Sequence, residues 1–256
     1  MSAIATLLPR LRAKRPLVHA VTNPVTQLFV ADALNAVSAR PIMATGIDEI
    51  AEISAGTAGL LINIGVPQSV EPYAAAVSAR KGGQNASKGG GWVLDPVGVG
   101  ASPLRDRIAA SLLTSKPSPA IIRANAGEVL ALAGQAGLTK GVDSLASAEE
   151  AAGVAKMLAE KHGSVVALTG ATDFVVSGSR VVRLTGGDPM MARVTGMGCV
   201  ASALCAAFLA VADDPFDAAV AALHLMSGAG DHATATTNGP GSFRTAFLDA
   251  LHAAAA

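Results

Sequence analysis

The feature that most narrows the fold of this chain is a recurrence of short apolar runs with helical stretches between them. LVHAV (17–21), the neighbourhood of Pro41 to Met43, GLLINI (59–64), GWVLD (91–95), AIIRA (120–124) and SVVALT (164–169) all lack the polar alternation of a strand with one wet face. Strands apolar on both faces belong to a parallel sheet covered on both sides. Helical segments at 25–38, 47–56, 68–80, 102–115 and 147–161 fall between them, which predicts right-handed crossovers in a layered α/β fold. After Thr169 the pattern changes. DFVVSGSRVVRL (173–184) predicts a hairpin turning at 177–179, hence an antiparallel edge on the mostly parallel sheet, and helices follow it.

No Pro/Ser-rich or charge-rich linker divides the 256 residues, so residues 1–256 read as one domain. Lysines and arginines number 19 and acids 19, which leaves no global field to recruit nucleic acid or an anionic membrane. Any anion site has to be built locally. The longest near-continuous apolar run, 199–212, ends at Asp213 and Asp214. It falls short of the roughly 20 residues of a membrane span, so it reads as a helix buried in a large core. MSAIATLLPRLRAKRP carries its basic residues after a short apolar run, the reverse of a signal peptide, and reads as a surface helix ending near Pro16. Cys199 and Cys205, on one predicted helix, point about 240° apart around its axis, which disfavours a disulfide and fits a reducing cytoplasm. The glycine-rich segment 80–91 reads as a surface loop rather than a phosphate cradle.

Open parallel sheets bind ligands beyond the carboxyl ends of their strands. The polar residues at those points are Asn23 after the first strand, Asn63 after the third, Asp95 after the fourth, Arg123 and Asn125 after the fifth, and Thr169 after the sixth; Met43 follows the second. In RVTGMGCVASALCAAFLAVA (193–212), Gly196 and Gly198 flank Met197 at the entrance of the apolar helix. The unpaired N–H groups of a first turn, with no side chain in the way, make an anion hole suited to a γ-phosphoryl group. The same pattern also describes a helix merely entered through a glycine turn. Cys199 falls in the first turn, where the helix dipole lowers a thiol's pKa and would let it take a proton from a hydroxyl; its other reading is a small buried hydrophobe, the reading given to Cys205. Asn125 and Glu128 form either a capping box or, with Asp95 as a second acid, part of a site for hydrated Mg²⁺. Arg123 would add donors for phosphate oxygens. Zinc-hydrolase and P-loop signatures are absent, and His224 and His232, eight apart on a helix, read as core or surface positions.

With these motifs in order, the chain resembles the hydroxyethylthiazole kinases of the ribokinase-like superfamily. The resemblance runs through LVHAVTNPVT (17–26), ARPIMATGIDEI (39–50), LLINIG (60–65), VLDPVGVGAS (93–102), IIRANAGEV (121–129), VALTGATDFV (166–175) and DPMMARVTGMGC (188–199), seven motifs covering essentially the whole chain. It implies a three-layer fold and Mg²⁺-dependent transfer of the γ-phosphate of ATP to the hydroxyl of 5-(2-hydroxyethyl)-4-methylthiazole. It also implies a homotrimer with the thiazole near a subunit interface. On this resemblance Arg123 and Thr169 match ATP-binding positions, and Met43, Asn23, Val25 and Gly196 match the substrate shell. Asp95 and Glu128 match positions near the metal, with Gly196, Met197, Gly198 and Cys199 as the transfer centre. Met197 stands where relatives have a small residue. Cys199 replaces the aspartate common in the superfamily, which implies that proton removal is a lesser part of catalysis.

Overall fold

The computed structural model describes residues 3–67, 69–81, 91–135 and 145–255. Eight strands form one sheet: β1 (Leu17–Val21), β2 (Arg40–Ile42), β3 (Gly59–Asn63), β4 (Val93–Asp95), β5 (Ile121–Asn125), β6 (Val165–Thr169), β7 (Asp173–Ser177) and β8 (Arg180–Leu184). Their order is β2-β1-β3-β4-β5-β6-β7-β8. The first six are mutually parallel and β7 and β8 run antiparallel, as the hairpin pattern predicts.

Side chains alternate along each strand between two cores. Leu61, Val93 and Ile121 face one side, and Leu60, Ile62, Leu94 and Ile122 face the other. This is why the strands carry apolar residues at consecutive positions. The first face is covered by α1 (Ala3–Lys14), α2 (Gln27–Ala36), α8 (Met197–Leu209), α9 (Pro215–Thr236) and α10 (Pro240–Ala255). The second is covered by α3 (Ile50–Gly56), α4 (Glu71–Ala79), α5 (Pro103–Leu113), α6 (Ala126–Leu132) and α7 (Leu145–His162). The product is a three-layer α/β sandwich.

The apolar run expected to be a buried helix is α8, which lies against β3, β4 and β5 with nearly every side chain buried. Its alanines let the sheet come close. A Cβ placed on Gly59 would stand 2.7 Å from the Ala206 carbonyl oxygen. Among the described residues no helix is long and apolar enough to cross a membrane. Most of the glycine-rich segment, residues 82–90, lies outside the described residues.

Because β1 sits between β2 and β3, the crossovers from β1 and β3 leave in different directions. A doubly wound sheet opens a crevice at such a switch point, and ligands bind there. The residues at the strand ends on either side of it are Asn23 and Asn63.

Candidate active site

The site grows from the carboxyl ends of β1, β3, β4, β5 and β6 and from the first turn of α8. Asn63 is its hub. Its Oδ1 accepts from Asn23 Nδ2 at 3.1 Å and from the Gly65 amide at 2.9 Å. Its Nδ2 donates to Asp95 Oδ2 at 2.7 Å and to Cys199 Sγ at 3.2 Å. One buried amide therefore fixes the turn after β1, the acid at the end of β4 and the thiol at the start of α8.

Asp95 has no exposed surface, and its Oδ1 lies 3.6 Å from Arg123 Nη1. Arg123, also buried, donates from Nη2 to Thr169 Oγ1. Burial works against its charge, but the carboxylates of Asp95 and Glu128 prevail and hold the guanidinium more firmly protonated than usual. Burial wins at Asp95, whose pKa is pushed up to about 6 despite Arg123. The contact is lopsided: one side of it is secured, the other only moderated. Asp173, on the cavity wall, is likewise pushed up to about 6 by burial, against the Gly170 amide that donates to it at 2.9 Å.

The sign of the pH effect follows. A carboxyl whose native pKa lies above the unfolded value of about 4 contributes stability fully present below that value and lost as pH rises through about 6. Unfolding free energy is therefore expected to decline over that window, and carboxyl carbon-13 titrations of Asp95 and Asp173 to show midpoints near 6. Midpoints in the ordinary range for both would mean that water reaches them.

At the entrance of α8, Gly196 is the N-cap residue with φ of 97°, a left-handed conformation that a side chain would strain. The helical ladder starts with the Val200 amide donating to the Gly196 carbonyl at 2.9 Å, so the amides of Met197, Gly198 and Cys199 lie ahead of it. Met197 turns its side chain into the core and forms part of the cavity wall. Cys199 corrects an expectation. Burial and the neighbouring Asp95 raise its pKa, so position in the first turn of a helix does not make it a thiolate at neutral pH. Cys205, wholly buried and pushed up to about 12, is the packing residue expected.

Asn125 and Glu128 form the capping box. The Glu128 amide donates to Asn125 Oδ1 and the Asn125 amide to Glu128 Oε2, each at 2.9 Å. The other oxygen of Glu128 accepts from the Gly98 amide at 3.1 Å. Each carboxylate oxygen keeps a further lone pair for a water molecule. Asp95 Oδ1 and Arg123 Nε are buried without a hydrogen-bond partner among the described residues. No group of three His, Cys, Asp or Glu side chains forms a metal cage among those residues. The unpartnered Asp95 Oδ1 and the carboxylate of Glu128 fit a hydrated Mg²⁺, which needs only one or two carboxylates.

Arg123, Asn125, Thr169, Asp173 and Gly198 line a cavity of about 670 Å³, with Leu223 and Met226 on its apolar wall. Met43 and Val25 are not on it. Met43 is partly buried against the core at the end of β2. Val25 is 72% exposed, so it is no core residue. Two residues that organise this region carry no functional signature in the sequence. Asn63 there is only a polar residue at the end of a strand. Arg105 read only as part of a helix, yet it donates to the carbonyls of Ile64, Gly65 and Val97 at 2.6–2.7 Å and clamps the loops after β3 and β4 together. The available signal was a polar residue at each strand exit; the strand order needed to pair them was not.

A three-layer fold around a mostly parallel sheet with an antiparallel edge, whose strand ends carry an arginine and a buried acid beside a glycine turn opening a helix, is the build of a ribokinase-like small-molecule kinase. The sequence profile of the hydroxyethylthiazole kinase family matches residues 8–256, and the chain belongs to that family. The hydroxyethylthiazole kinase of Granulibacter bethesdensis is 45% identical over 250 residues, covering 96% of this chain and 88% of that protein. That of Tolumonas auensis is 43% identical over 252 residues, covering 97% and 92%. The structure of the hydroxyethylthiazole kinase from Pyrococcus horikoshii superposes with a TM-score of 0.83 at 33% identity, covering 98% of this chain and 92% of that one. A Bacillus subtilis pyridoxal kinase solved as an ADP complex shares the fold, with a TM-score of 0.61 at 18% identity over 83% of this chain and 90% of its own.

Proposed function

We propose that this chain transfers the γ-phosphate of ATP to the primary hydroxyl of 5-(2-hydroxyethyl)-4-methylthiazole, a cytoplasmic salvage step toward thiamine. Beside family membership, the observation that carries this reading is the convergence of Arg123, Thr169 and the first turn of α8 on one cavity of nucleotide size. Arg123 and the Thr169 hydroxyl bind the phosphate chain. The amides of Met197, Gly198 and Cys199 point their partial charge at the phosphoryl group in transit, where charge spreads over its peripheral oxygens. Glu128, through water, and Asp95 would hold Mg²⁺, which would neutralise phosphate charge there.

The thiazole alcohol lies across the glycine turn from the nucleotide, among Asn23, Val25, Met43 and Gly196. The exposure of Val25 supports a homotrimer in which a second copy of the chain covers that shell. Cys199, held by the Asn63 amide and carrying its proton at neutral pH, guides the hydroxyl rather than deprotonating it. Positioning and electrostatics then supply most of the acceleration.

A coupled ADP-release assay on a panel of small alcohols, including the thiazole alcohol and a hydroxymethylpyrimidine, tests the reading. Turnover is expected to be highest with the thiazole and to vanish on chelation of Mg²⁺. Cys199→Ala is expected to lose roughly tenfold in kcat, less than metal removal, since a guide contributes less than charge stabilisation. No turnover of the thiazole at neutral to mildly alkaline pH would sink the function. A loss at Cys199→Ala equal to that on chelation would overturn the division of labour.

A further inference from the structure

Among the fully buried polar side chains that the transfer chemistry leaves unused is His19, in the middle of β1. Its Nδ1 lies 2.8 Å from Ser54 Oγ in α3, and its Nε2 lies 2.8 Å from the Ala44 carbonyl oxygen in the loop after β2. A carbonyl only accepts, so Nε2 carries the proton and Nδ1 accepts from the serine hydroxyl. Burial lowers the pKa of the imidazole, which fits the neutral ring this bonding requires, with Arg80 and Glu49 as the charged groups that bear on it.

The place of this bond gives it a use. Edge strand β2 is three residues long, and its ladder with β1 ends where His19 faces Ile42. The next backbone bonds closing the loop are those from the Glu49 and Ile50 amides to the Gly46 carbonyl. Between these two anchors runs the segment holding Met43, and the imidazole grips it at Ala44, two residues past the last rung. A side chain has taken over where the strand ladder stops. Because the ring also bonds α3, it ties that segment to the layer beneath it and cannot swing with it.

We infer that His19 is a positioning residue for the alcohol substrate: by holding the Ala44 carbonyl it fixes the backbone that presents Met43 at the carboxyl end of β2. The inference rests on the reading of Met43 as a substrate contact. It goes beyond that reading by giving a residue inside the sheet control over alcohol binding and none over the nucleotide, whose cavity lies beyond β5 and β6.

Two substitutions separate the halves of the bonding. In His19→Gln the amide nitrogen reaches the position of Nε2 and keeps the bond to Ala44; in His19→Asn only the position of Nδ1, toward Ser54, is retained. His19→Leu is expected to raise KM for the thiazole alcohol by on the order of tenfold with KM for ATP within about twofold, since small displacements of a positioning group carry large kinetic costs. Glutamine is expected to recover most of the loss and asparagine little of it. Hydrogen exchange of the 43–49 amides should quicken in the leucine and asparagine variants and stay near wild type in the glutamine variant. Unchanged exchange in His19→Leu, equal behaviour of the glutamine and asparagine variants, or a rise of the ATP KM in step would each overturn the inference. Met43→Ala serves as the separate control: if it leaves the thiazole KM unmoved while exchange follows the pattern above, the reading of Met43 has failed and the anchoring by His19 has not.

Discussion

Gly198→Ala is expected to lower kcat/KM for phosphate transfer by on the order of 100-fold, a loss of the size seen when a donor to a developing charge is misplaced, and to lower the thermal midpoint far less than Arg123→Met does. An added methyl would stand 2.6 Å from Arg123 Nη1 and 2.9 Å from Nη2. The guanidinium ends a flexible side chain, so it can move aside and the fold survives. It cannot do so without leaving Thr169 Oγ1 and widening its 3.6 Å approach to Asp95. Backbone strain does not confuse the result, because Gly198 is not among the glycines with positive φ. Helix propensity favours alanine by up to about 1 kcal/mol and works in the variant's favour. Gly196→Ala would be a poorer test, since φ there is 97° and the methyl would also meet Thr26 Cγ2 at 3.0 Å. Steady-state kinetics beside a thermal melt decide the matter. A Gly198→Ala enzyme with near wild-type kcat/KM would show that Arg123 has room to spare.

The sequence carried the sheet plainly and the site only in part, for physical reasons. The parallel strands were visible because burial on both faces leaves few polar positions within most of them, and the hairpin because a Ser-Gly-Ser turn at 177–179 separates two apolar runs. Asp95, Arg123 and Thr169 were visible because strand exits are where an apolar run first tolerates a charge. The role of Asn63 was not, because it depends on β1 lying beside β3, and strand order is a property of long-range pairing. Cys199 shows two rules in competition. Placement in a first helical turn favours the thiolate, whereas burial beside Asp95 opposes it, and only packing reveals that the second prevails. His19 sits in LVHAV, where one imidazole among apolar neighbours gives no sign of the two partners it reaches. For Val25 the pattern predicts a helix already begun at residue 25, while the structure begins α2 at Gln27 and leaves the residue exposed.

Arg123→Met is expected to cost both stability and activity, and the two losses should respond differently to a second substitution. Removing the guanidinium leaves the Asp95 carboxylate buried without a cation, a change that typically costs about 3–5 kcal/mol. The carboxyl, already pushed up to about 6 beside Arg123, would rise further. A raised native pKa gives stability that is present below the unfolded value and lost as pH rises, so the destabilisation should be small near pH 4 and grow through neutrality. Urea unfolding at pH 5 and pH 8 should show that divergence. Asp95→Asn placed on top of Arg123→Met removes the unpaired charge while preserving shape, so much of the stability at pH 8 should return. ATP affinity, measured with Mg²⁺ chelated so that any metal held by Asp95 does not enter, should not, because the fork of donors facing the cavity is gone in both variants, a loss of roughly one to two orders of magnitude for charge-assisted hydrogen bonds. A deficit independent of pH, or one the double variant fails to relieve, would mean that Arg123 stabilises the fold through packing of its stem rather than through Asp95. Stability that returns while nucleotide binding stays lost would place the two duties of this arginine on separate contacts, one inward to the acid and one outward to the phosphates.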